Sequence, residues 1–494
     1  MFPYKTSIKL NRDSNQSLYL QLSNQIIQLI KNRVLLPNTK LPGSRSLAEQ
    51  LEVHRKTIVA CYDELLMQGW VESVPKKGTF VHNNLPRLHQ QKLGDYEDSG
   101  LVKKPGFPFY KNDILTAKRL NENQNLMYLN DGVSDGRLAP IDEIARTYRR
   151  ITAKKNAFEH LSYSSTYGSS SLRGVLVNYL NTTRGLRITK ENILITRGSQ
   201  MGIWLSSQLL LKKNDTIIIG NTNYVSADST FLNQQSKLER VSVDKNGIVT
   251  EDVEKLCRKK RIKAVYVTSH HHHPSTVTLS AKRRIHLLNL SRTYNFAIIE
   301  DDYDYDFNYD HAPILPLASH DTNGNVIYIG SVCKTVAPVF RVGYLIASKE
   351  FVDEASKLRG FVDRQGDALL ELTFADFIKS GDMDRHIRKV MKIYKHRRDL
   401  FCKLLKNELS DFFEFDIPKG GMAVWVKLNP SYSWDKISDV AKRYELEIGD
   451  WKRYDMAKFR HNCIRIGFAA YNDNEIYELV GRLRKTIDEI IDAR

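Results

Sequence analysis

The chain has 494 residues, 41% of them hydrophobic, and its 74 Lys and Arg against 57 Asp and Glu give a net charge of +17. That length accommodates two or three domains, and the charge favours a polyanion partner, with nucleic acid as the leading candidate over an ordinary basic surface. Five scattered cysteines without a CxxC pair indicate neither a disulfide framework nor a zinc site. No stretch is apolar enough for a signal peptide or a bilayer span, so we expect a cytoplasmic protein.

Helices and a two-stranded hairpin are predicted for residues 18–81. Leu18–Val34 has apolar residues at helical spacing, and two prolines and a glycine then interrupt the pattern. Ser46 is placed to cap a short helix, Leu47–Leu51, and a tight turn leads to a second helix, Arg55–Gly69. Trp70–Val81 alternates around a Lys-Lys-Gly turn, as the two strands of a wing do. Two short helices joined by a tight turn and followed by a wing indicate a winged helix-turn-helix.

The segment LPGSRSLAEQLEVHRKTIVACYDELLMQGWVESVPKKGTFV closely resembles the winged helix-turn-helix of the GntR regulators. The resemblance implies binding to operator DNA through guanidinium groups at phosphates or guanine edges and through lysines at the wing tip. The contact residues implied by position are Arg45, Arg55, Lys56, Thr57, Lys76, Lys77 and Gly78. His54 stands where the family has Ser or Thr, and it is a candidate helix cap or phosphate contact. The alternative is a small helical dimerisation module with a solvated basic face.

A polar, irregular stretch separates this segment from the rest of the chain. Residues 83–124 contain prolines, glycines and clustered charge, and they have no sustained period. We interpret them as a flexible linker. The predicted division is a DNA-binding domain at 1–82, a linker at 83–124 and a large domain at 125–494.

Short β-rich runs alternate with helical runs in the large domain. The runs NILIT, TIIIG, AVYVT, FAIIE, VIYIG and GYLIAS are strand-like, whereas segments such as SLRGVLVNYLNTTRG are helical. This alternation predicts an α/β fold with a largely parallel sheet. Such sheets bind ligands at the carboxyl ends of their strands, where Gly198, Ser199, Tyr224 and Asp301 are expected.

One lysine lies in an apolar segment of this domain. Lys334 is part of YIGSVCKTVAPVFRVGYL, with Ser331 three residues before it and Arg341 seven residues after it. An amine beside a hydroxyl and a guanidinium suits an aldehyde cofactor that carries a phosphate, because the amine forms a Schiff base and the other groups bind the phosphate. A carboxylate at a strand end, such as Asp301 in EDDYDYDF, can pair with the protonated pyridine nitrogen of pyridoxal phosphate (PLP). The residues alone therefore predict a PLP site.

Several stretches of the large domain stand in the order found in fold type I aminotransferases. They are YSSTYGSSSLRGVLVNYL, ILITRGSQMGI, EDDYDYDF, GSVCKTVAPVFRVGY, FIKSGDMDRHIRKVMKIYKHRRD and IRIGFA. With the GntR-like segment, they make the chain resemble the MocR (GabR-like) subfamily of GntR regulators. The resemblance implies a winged helix-turn-helix fused to a PLP-binding aminotransferase fold, with a mainly parallel sheet and a small α+β subdomain.

The resemblance also implies a role for each site residue by its position. Lys334 would form the internal aldimine, Asp301 would pair with the pyridinium nitrogen, and Arg465 would hold the carboxylate of a ligand. The other implied roles are ring contacts by Tyr224 and Tyr303, phosphate contacts by Ser199, Gln200, Ser331 and Arg341, and a contact from Tyr163 to the phosphate of the partner subunit in a homodimer.

The loop TSHHHHPST departs from the family pattern. His272 occupies the place of an Asn or Gln near the cofactor oxygen, and Thr276 occupies that of a Gly. Adjacent histidines on a loop cannot all face one ion, so we predict no metal site here. Cys333 replaces a Ser before the lysine, and Ser226 stands where some relatives carry an arginine. These changes leave the ligand and the capacity for catalysis open.

Three functions are consistent with the sequence. The first is a PLP-dependent transcriptional regulator that senses an amino compound, or PLP itself, through aldimine exchange at Lys334, with the linker transmitting the change to paired DNA-binding domains. The second is a catalytically active aminotransferase with a DNA-binding head, in which Lys334 moves a proton. The third is a DNA-binding protein whose large domain only dimerises, against which the intact Lys334, Asp301 and Arg341 argue.

Overall fold

The structure is a computed structural model, and it describes residues 2–85, 105–112, 126–310, 314–332, 334–455 and 459–493. The chain divides into two compact units, Met1–Tyr110 and Lys111–Arg494. Most of the predicted linker, together with Cys333, lies outside the described residues. Within the described ranges, no helix is both long and apolar enough to span a membrane.

The N-terminal unit is a helical bundle with a hairpin. Its elements are α1 (Tyr4–Ser7), α2 (Leu18–Lys31), α3 (Ser44–Leu51), α4 (Arg55–Met67), β1 (Val71–Val74) and β2 (Gly78–Val81). The two strands pair antiparallel around a turn in which Lys76 has a φ of 63°. Leu22, Leu47, Ile58 and Val81 meet in one apolar core, which fixes the wing against the helices. The predicted winged helix-turn-helix is confirmed.

The start of α3 differs from the prediction, whereas the start of α4 agrees with it. The predicted cap at Ser46 is wrong, because α3 begins at Ser44 with Gly43 as its N-cap and no side-chain cap. The Pro-Gly pair ends the extended backbone earlier than the apolar pattern indicates, which leaves Ser46 within the first helical turn. His54 caps α4, since its Nδ1 accepts a hydrogen bond from the Lys56 backbone N–H at 3.2 Å.

The large unit alternates strands and helices, as predicted. Its strands are β3 (Met127–Tyr128), β4 (Ile193–Thr196), β5 (Thr216–Gly220), β6 (Lys237–Val241), β7 (Val243–Asp244), β8 (Gly247–Ile248), β9 (Ala264–Val267), β10 (Ala297–Asp302), β11 (Val326–Ser331), β12 (Gly343–Ile346), β13 (Phe413–Glu414), β14 (Ala423–Leu428), β15 (Leu446–Glu447) and β16 (Cys463–Gly467). Its α-helices are α5 (Ile141–Thr152), α6 (Ser170–Arg184), α7 (Ser199–Leu210), α8 (Val225–Asn233), α9 (Thr250–Cys257), α10 (Ala281–Tyr294), α11 (Leu317–His320), α12 (Lys349–Val362), α13 (Ala368–Lys379), α14 (Asp382–Leu409), α15 (Trp434–Ala441) and α16 (Asp473–Asp492).

A seven-stranded sheet in the order β4-β12-β11-β10-β9-β5-β6 forms the centre of the large unit. β12 runs antiparallel to both of its neighbours, and the remaining pairs are parallel. Ile217 and Ile219 pack against α7 and α8, whereas Ile218 packs against α9 and α10 on the opposite face. Burial on both faces explains why these strands are continuously apolar in sequence. The predicted largely parallel α/β fold is confirmed.

A smaller antiparallel sheet, β13-β14-β16, lies in the C-terminal part of the same unit. Trp434 of α15 and Leu483 of α16 join Ile466 of β16 in its core. β16 carries Arg465, which is paired with Trp425 of β14. The small α+β subdomain therefore places a guanidinium on a rigid strand.

Candidate functional site

Predicted site residues meet at one edge of the seven-stranded sheet. β10 ends just beyond Asp301, β11 ends at Ser331, and Tyr224 follows the end of β5. These strands are parallel, so their carboxyl ends share an edge, which is where such sheets bind ligands. The antiparallel β12 starts at this edge, with Gly343 paired to Ser331, and it brings the preceding Arg341 to the same place.

Two backbone segments come unusually close at the predicted phosphate end of the site. A Cβ on Gly198, whose φ is 73°, would lie 2.8 Å from Arg341 Nη2, and one on Gly343 would lie 2.8 Å from the Gly198 backbone. Only glycine allows this approach at either position. Arg341 also donates from Nη2 to the carbonyl oxygen of Arg197 at 2.9 Å. The guanidinium is therefore held beside the N-terminus of α7, where backbone N–H groups favour an anion.

Ser199 and Gln200 follow Gly198 at the start of α7, and Ser331 ends β11, where it pairs with Gly343. Ser199 is the first residue of α7, and Gln200 donates from Nε2 to Thr230 Oγ1 at 2.8 Å. Gln200 Oε1 is buried without a hydrogen-bond partner in the described part of the chain. Ser331 Oγ lies 3.4 Å from the carbonyl oxygen of Val342. The predicted phosphate-binding residues are therefore brought together.

Three consecutive carboxylates end β10, and their surroundings differ. Glu300 accepts hydrogen bonds from Ser269 and from two backbone N–H groups, and Asp302 is bonded to His270 and Tyr328. Asp301 accepts from the Tyr266 hydroxyl at Oδ2, 2.8 Å away, but its buried Oδ1 has no partner among the described residues. Asp301 is thus the member of the three that has an oxygen available for a ligand.

Burial raises the pKa of Asp301 to about 7, against a hydrogen bond from Tyr266 that lowers it. A protonated pyridine nitrogen would supply both the missing partner and a compensating positive charge. The environment of Asp301 therefore fits PLP.

The side chain of Lys334 contacts a loop that precedes α5. Its Nζ donates to the carbonyl oxygen of Gly132 at 2.6 Å. Asn130 Oδ1 shapes the loop by accepting from the backbone N–H groups of Gly132 and Val133. We call residues 129–135 the anchor loop.

Arg465 contacts the residue before Gly132 on this loop. Its side chain is buried, with Nε donating to the Asp131 carbonyl oxygen at 2.8 Å and Nη1 to the Pro274 carbonyl oxygen at 3.0 Å. Nη2 lies 3.4 Å from the hydroxyl of Tyr303, which itself donates to the His271 carbonyl oxygen at 2.9 Å. The predicted carboxylate-binding arginine and the predicted ring-contacting tyrosine are therefore neighbours.

The four histidines of the loop after β9 take separate partners. His270 and His271 lie 3.0 and 2.9 Å from carboxylate oxygens of Asp302 and Asp304, respectively, and His272 Nδ1 lies 2.8 Å from Ser275 Oγ. His273 instead makes edge contacts with the rings of Tyr224 and Tyr303, at centroid distances of 5.2 and 6.3 Å.

His273 is therefore the histidine that joins the ring-contacting tyrosines, and His272 packs behind it near Gly220. Burial lowers the pKa of His272 to about 3 and that of His273 well below its usual range, so both imidazoles are neutral at pH 7. The predicted contact of His272 with the cofactor stays a prediction, and His273 is a further histidine beside the ring-contacting tyrosines.

Two further residues of the site were missed in the sequence. Asp131 Oδ2 accepts a hydrogen bond from Arg453 Nη2 at 2.8 Å and lies 3.9 Å from His273 Nε2. Arg453 comes from the short helical turn Trp451–Tyr454, far along the chain from Asp131. No local sequence pattern pairs these residues, because both lie in polar, irregular segments.

Tyr163 lies apart from these residues. Its side chain is 74% exposed, and the Arg364 guanidinium is 4.0 Å from its ring centroid. Its predicted contact with the phosphate of a partner subunit stays a prediction.

The predicted DNA-contacting residues lie on the surface of the N-terminal unit. Arg45 in α3, Arg55 and Lys56 at the start of α4, and Lys76 and Lys77 at the wing tip are all exposed. Arg55 Nε lies 3.4 Å from Ser44 Oγ, which links the starts of the two helices. α4 and the wing line a shared concave surface, to which Lys76, Lys77 and Gly78 contribute. Thr57 is partly buried in the first turn of α4.

Both units match known families. Residues 124–483 match "Aminotransferase class I and II", and residues 18–81 match "Bacterial regulatory proteins, gntR family". The chain belongs to the aminotransferase class I and II family and carries a GntR domain before it, which is the MocR-type architecture predicted from the sequence.

Relatives of this chain include proteins named as transcriptional or regulatory proteins. The uncharacterized HTH-type transcriptional regulator YdfD of Bacillus subtilis (strain 168) is 28% identical over 464 residues, covering 93% of this chain and 95% of that protein. The probable rhizopine catabolism regulatory protein MocR of Rhizobium meliloti is 24% identical over 413 residues, covering 84% and 82%. The kynurenine aminotransferase of Pyrococcus horikoshii, solved in complex with PMP, is 25% identical with a TM-score of 0.70, covering 75% of this chain and 92% of that one.

The protein is thus a DNA-binding transcriptional regulator with a PLP-dependent aminotransferase domain, as the sequence predicted. PLP fits the residues present, because Asp301 has an oxygen without a hydrogen-bond partner among the described residues and the Arg341 guanidinium lies beside the N-terminus of α7, where a phosphate would bind.

Proposed function

We propose that the large unit senses an amino compound at Lys334 and Arg465 and that binding of this effector alters the affinity for operator DNA. Bound PLP supplies an aldehyde to which amines attach and a ring that withdraws electrons. Asp301 would hold the ring nitrogen, while Ser331, Arg341 and the N-terminus of α7 would hold the phosphate. Arg465 would orient the effector through its carboxylate, a task suited to a guanidinium fork.

The observation that carries this proposal is a pair of consecutive carbonyl oxygens on the anchor loop. The oxygen of Asp131 accepts from Arg465 Nε, and that of Gly132 accepts from Lys334 Nζ. An effector carboxylate would compete with the Asp131 carbonyl oxygen for Arg465, and an effector amine that took the place of Lys334 on PLP would free Nζ for the contact with Gly132. Effector binding therefore changes what holds this loop, and a difference in binding energy between two loop arrangements is what shifts a population.

The anchor loop begins shortly after the predicted linker, residues 83–124, in the sequence. A change in the loop is therefore close along the chain to the segment that leads to the DNA-binding unit. We further propose a cytoplasmic homodimer whose paired DNA-binding units contact two half-sites. The exposed ring of Tyr163, which the resemblance assigns to a partner subunit, supports the dimer.

The test is a titration of the PLP-loaded protein with a panel of amino acids and amines. Visible absorbance follows the cofactor, and fluorescence anisotropy of a labelled promoter duplex follows DNA binding. We expect one class of amino compound to change both signals with the same midpoint. Lys334→Ala should abolish both responses, whereas Lys245→Ala, at an exposed lysine, should keep them.

Other outcomes separate the alternatives. An absorbance change that leaves DNA affinity unaltered would contradict effector sensing. Conversion of the cofactor to its amine form, with recovery on adding a keto acid, would identify a working aminotransferase. A DNA response to PLP alone, unaffected by any amino compound, would make the cofactor itself the signal.

A further inference from the structure

A second guanidinium stands beside the proposed carboxylate site and is already paired. Arg453 Nη2 donates to Asp131 Oδ2 at 2.8 Å and to the Tyr454 hydroxyl at 2.5 Å, and its guanidinium lies 4.7 Å from the Tyr454 ring centroid. The exposed fractions of the Arg453 and Asp131 side chains are 20% and 36%, so the pair is only partly covered. Arg453 Nε is buried without a hydrogen-bond partner in the described ranges.

Asp131 is the carboxylate among a group of cations. Its own carbonyl oxygen accepts from Arg465, and Lys334 is bonded to the next residue. Burial alone would raise the pKa of Asp131, but the nearby charges of Arg453, Lys334 and Arg465 lower it below its usual range. Asp131 is therefore ionised at neutral pH, and it neutralises Arg453.

We propose that Asp131 acts as a built-in carboxylate that occupies Arg453, so that the effector is an amino acid with a single carboxylate. This inference rests on the proposed function, in which Arg465 binds that carboxylate. With Arg453 already paired, the second carboxylate of a dicarboxylic amino acid would meet Asp131, and like charges placed together disfavour the wrong ligand. The Asp131–Arg453 pair thus disfavours dicarboxylic amino acids by electrostatic repulsion and adds no new attraction for the favoured ligand.

The opposite role, in which Asp131 binds a second amino group of the effector, fits the surroundings less well. Such an ammonium would lie among Arg453, Arg465 and Lys334, which already exceed the negative charge of Asp131. The pair also holds Oδ2 in place, which removes one of the two oxygens from use.

The test compares amides with acids of nearly the same shape, which differ by one charge, and adds L-lysine as a ligand with a second amine. PLP-loaded wild type, Asp131→Asn and the double variant Asp131→Asn/Arg453→Leu are titrated with L-glutamine, L-glutamate and L-lysine, followed by visible absorbance. Succinamate and succinate, which lack an amine, are compared by the rise in melting temperature. An unchanged absorbance spectrum before titration shows that each variant has folded and is loaded.

We expect wild type to favour glutamine over glutamate, and succinamate over succinate, by about tenfold or more. Asp131→Asn should reverse or abolish this preference because it releases Arg453 for the second carboxylate. The double variant should lose the gain for glutamate, since the released guanidinium is then absent.

Four results would overturn the inference. Equal affinity of wild type for both members of each pair would show that no selection exists, and an equal effect of Asp131→Asn on both members would remove Asp131 from it. A selective loss of lysine binding in Asp131→Asn would assign Asp131 to an amino group instead. If the amino acids change no absorbance while succinamate stabilises wild type more than succinate, the sensing proposal fails and the selection by charge stands; if no carboxylate binds at all, both fail.

Discussion

The two units use charged side chains in opposite ways. In the N-terminal unit, Arg45, Lys76 and Lys77 are exposed side chains on a surface that faces solvent. In the large unit, Arg465 is 2% exposed and bonded to backbone carbonyl oxygens, and Asp301 is buried with one oxygen lacking a partner in the described part of the chain. Exposed cations contribute jointly to DNA affinity through counterion release. Each buried charge instead needs a partner of its own, so its loss is not shared by its neighbours. Single substitutions should therefore have large effects in the large unit and small, graded effects in the N-terminal unit.

The largest effect is expected at Asp301. Asp301→Asn removes the buried charge opposite the ring nitrogen, and breaking such a pair costs about 3–5 kcal/mol. PLP affinity, measured from absorbance after equilibrium dialysis, should fall accordingly. Asp416→Asn, at an exposed carboxylate, is the matched control and should bind PLP as wild type does. Wild-type affinity in Asp301→Asn would remove this residue from the cofactor site.

The same carboxylate should make the stability of the PLP-depleted protein depend on pH. Folding raises the pKa of Asp301 from 3.8 to about 7, so its contribution is fully present below about pH 4 and is lost as pH rises through 7. The free energy of unfolding should fall by a few kcal/mol over this window relative to Asp301→Asn.

The difference between the two proteins is the quantity to measure by chemical denaturation. The lowered pKa of His272 acts in the opposite direction, because its contribution is present above about pH 6.5 and is lost as pH falls toward 3. This histidine effect is common to both proteins and cancels in the difference. Parallel pH profiles would contradict the raised pKa of Asp301.

A smaller effect is expected at the wing. Lys77→Gln should lower the slope of log affinity against log salt by about 0.9 for the phosphate contact it removes. Anisotropy of a mixed-sequence duplex at several salt concentrations measures that slope, and PLP binding should not change. Lys245→Gln, in the large unit, is the control. An unaltered slope in Lys77→Gln would place the wing tip away from the DNA backbone.

The smallest effect is expected at the cap of α4. His54→Ala removes the acceptor of the Lys56 N–H and should destabilise the start of the helix by about 0.5–1 kcal/mol. Hydrogen exchange at the Lys56 amide reports this loss locally. His54→Asn should restore protection, since Asn is a favourable cap, and equal protection in His54→Ala would show that the cap contributes nothing.

Patterns that depend on local chemistry were predictable from the sequence. TIIIG is recognisable as a strand because burial on both faces requires continuous apolar residues, and α4 is recognisable because its apolar face repeats at helical spacing. Asp301 was identified because strand ends in such a sheet are where ligands bind, and Lys334 because its amine lies in an apolar segment between a hydroxyl and a guanidinium.

Contacts between distant segments were not predictable. Asp131 and Arg453 are joined by the packing of the small subdomain, and neither lies in a motif with a regular period. The separate partners of the four adjacent histidines depend on ring orientation, which adjacent identical residues cannot encode by spacing. The start of α3 at Ser44 depends on backbone geometry at Gly43 and not on the apolar pattern that places a helix.

The adjacent carbonyl oxygens of Asp131 and Gly132 would make the anchor loop respond fully only to a ligand that carries both an amine and a carboxylate. A plain amine that replaced Lys334 on PLP would change the contact at Gly132 alone, and a plain carboxylate would compete for the contact at Asp131 alone. A molecule that carries both groups, spaced as in an amino acid, is the one that would change the contacts of two successive peptide units. Fragments of the true effector should therefore act as partial ligands that together do not reproduce the intact compound.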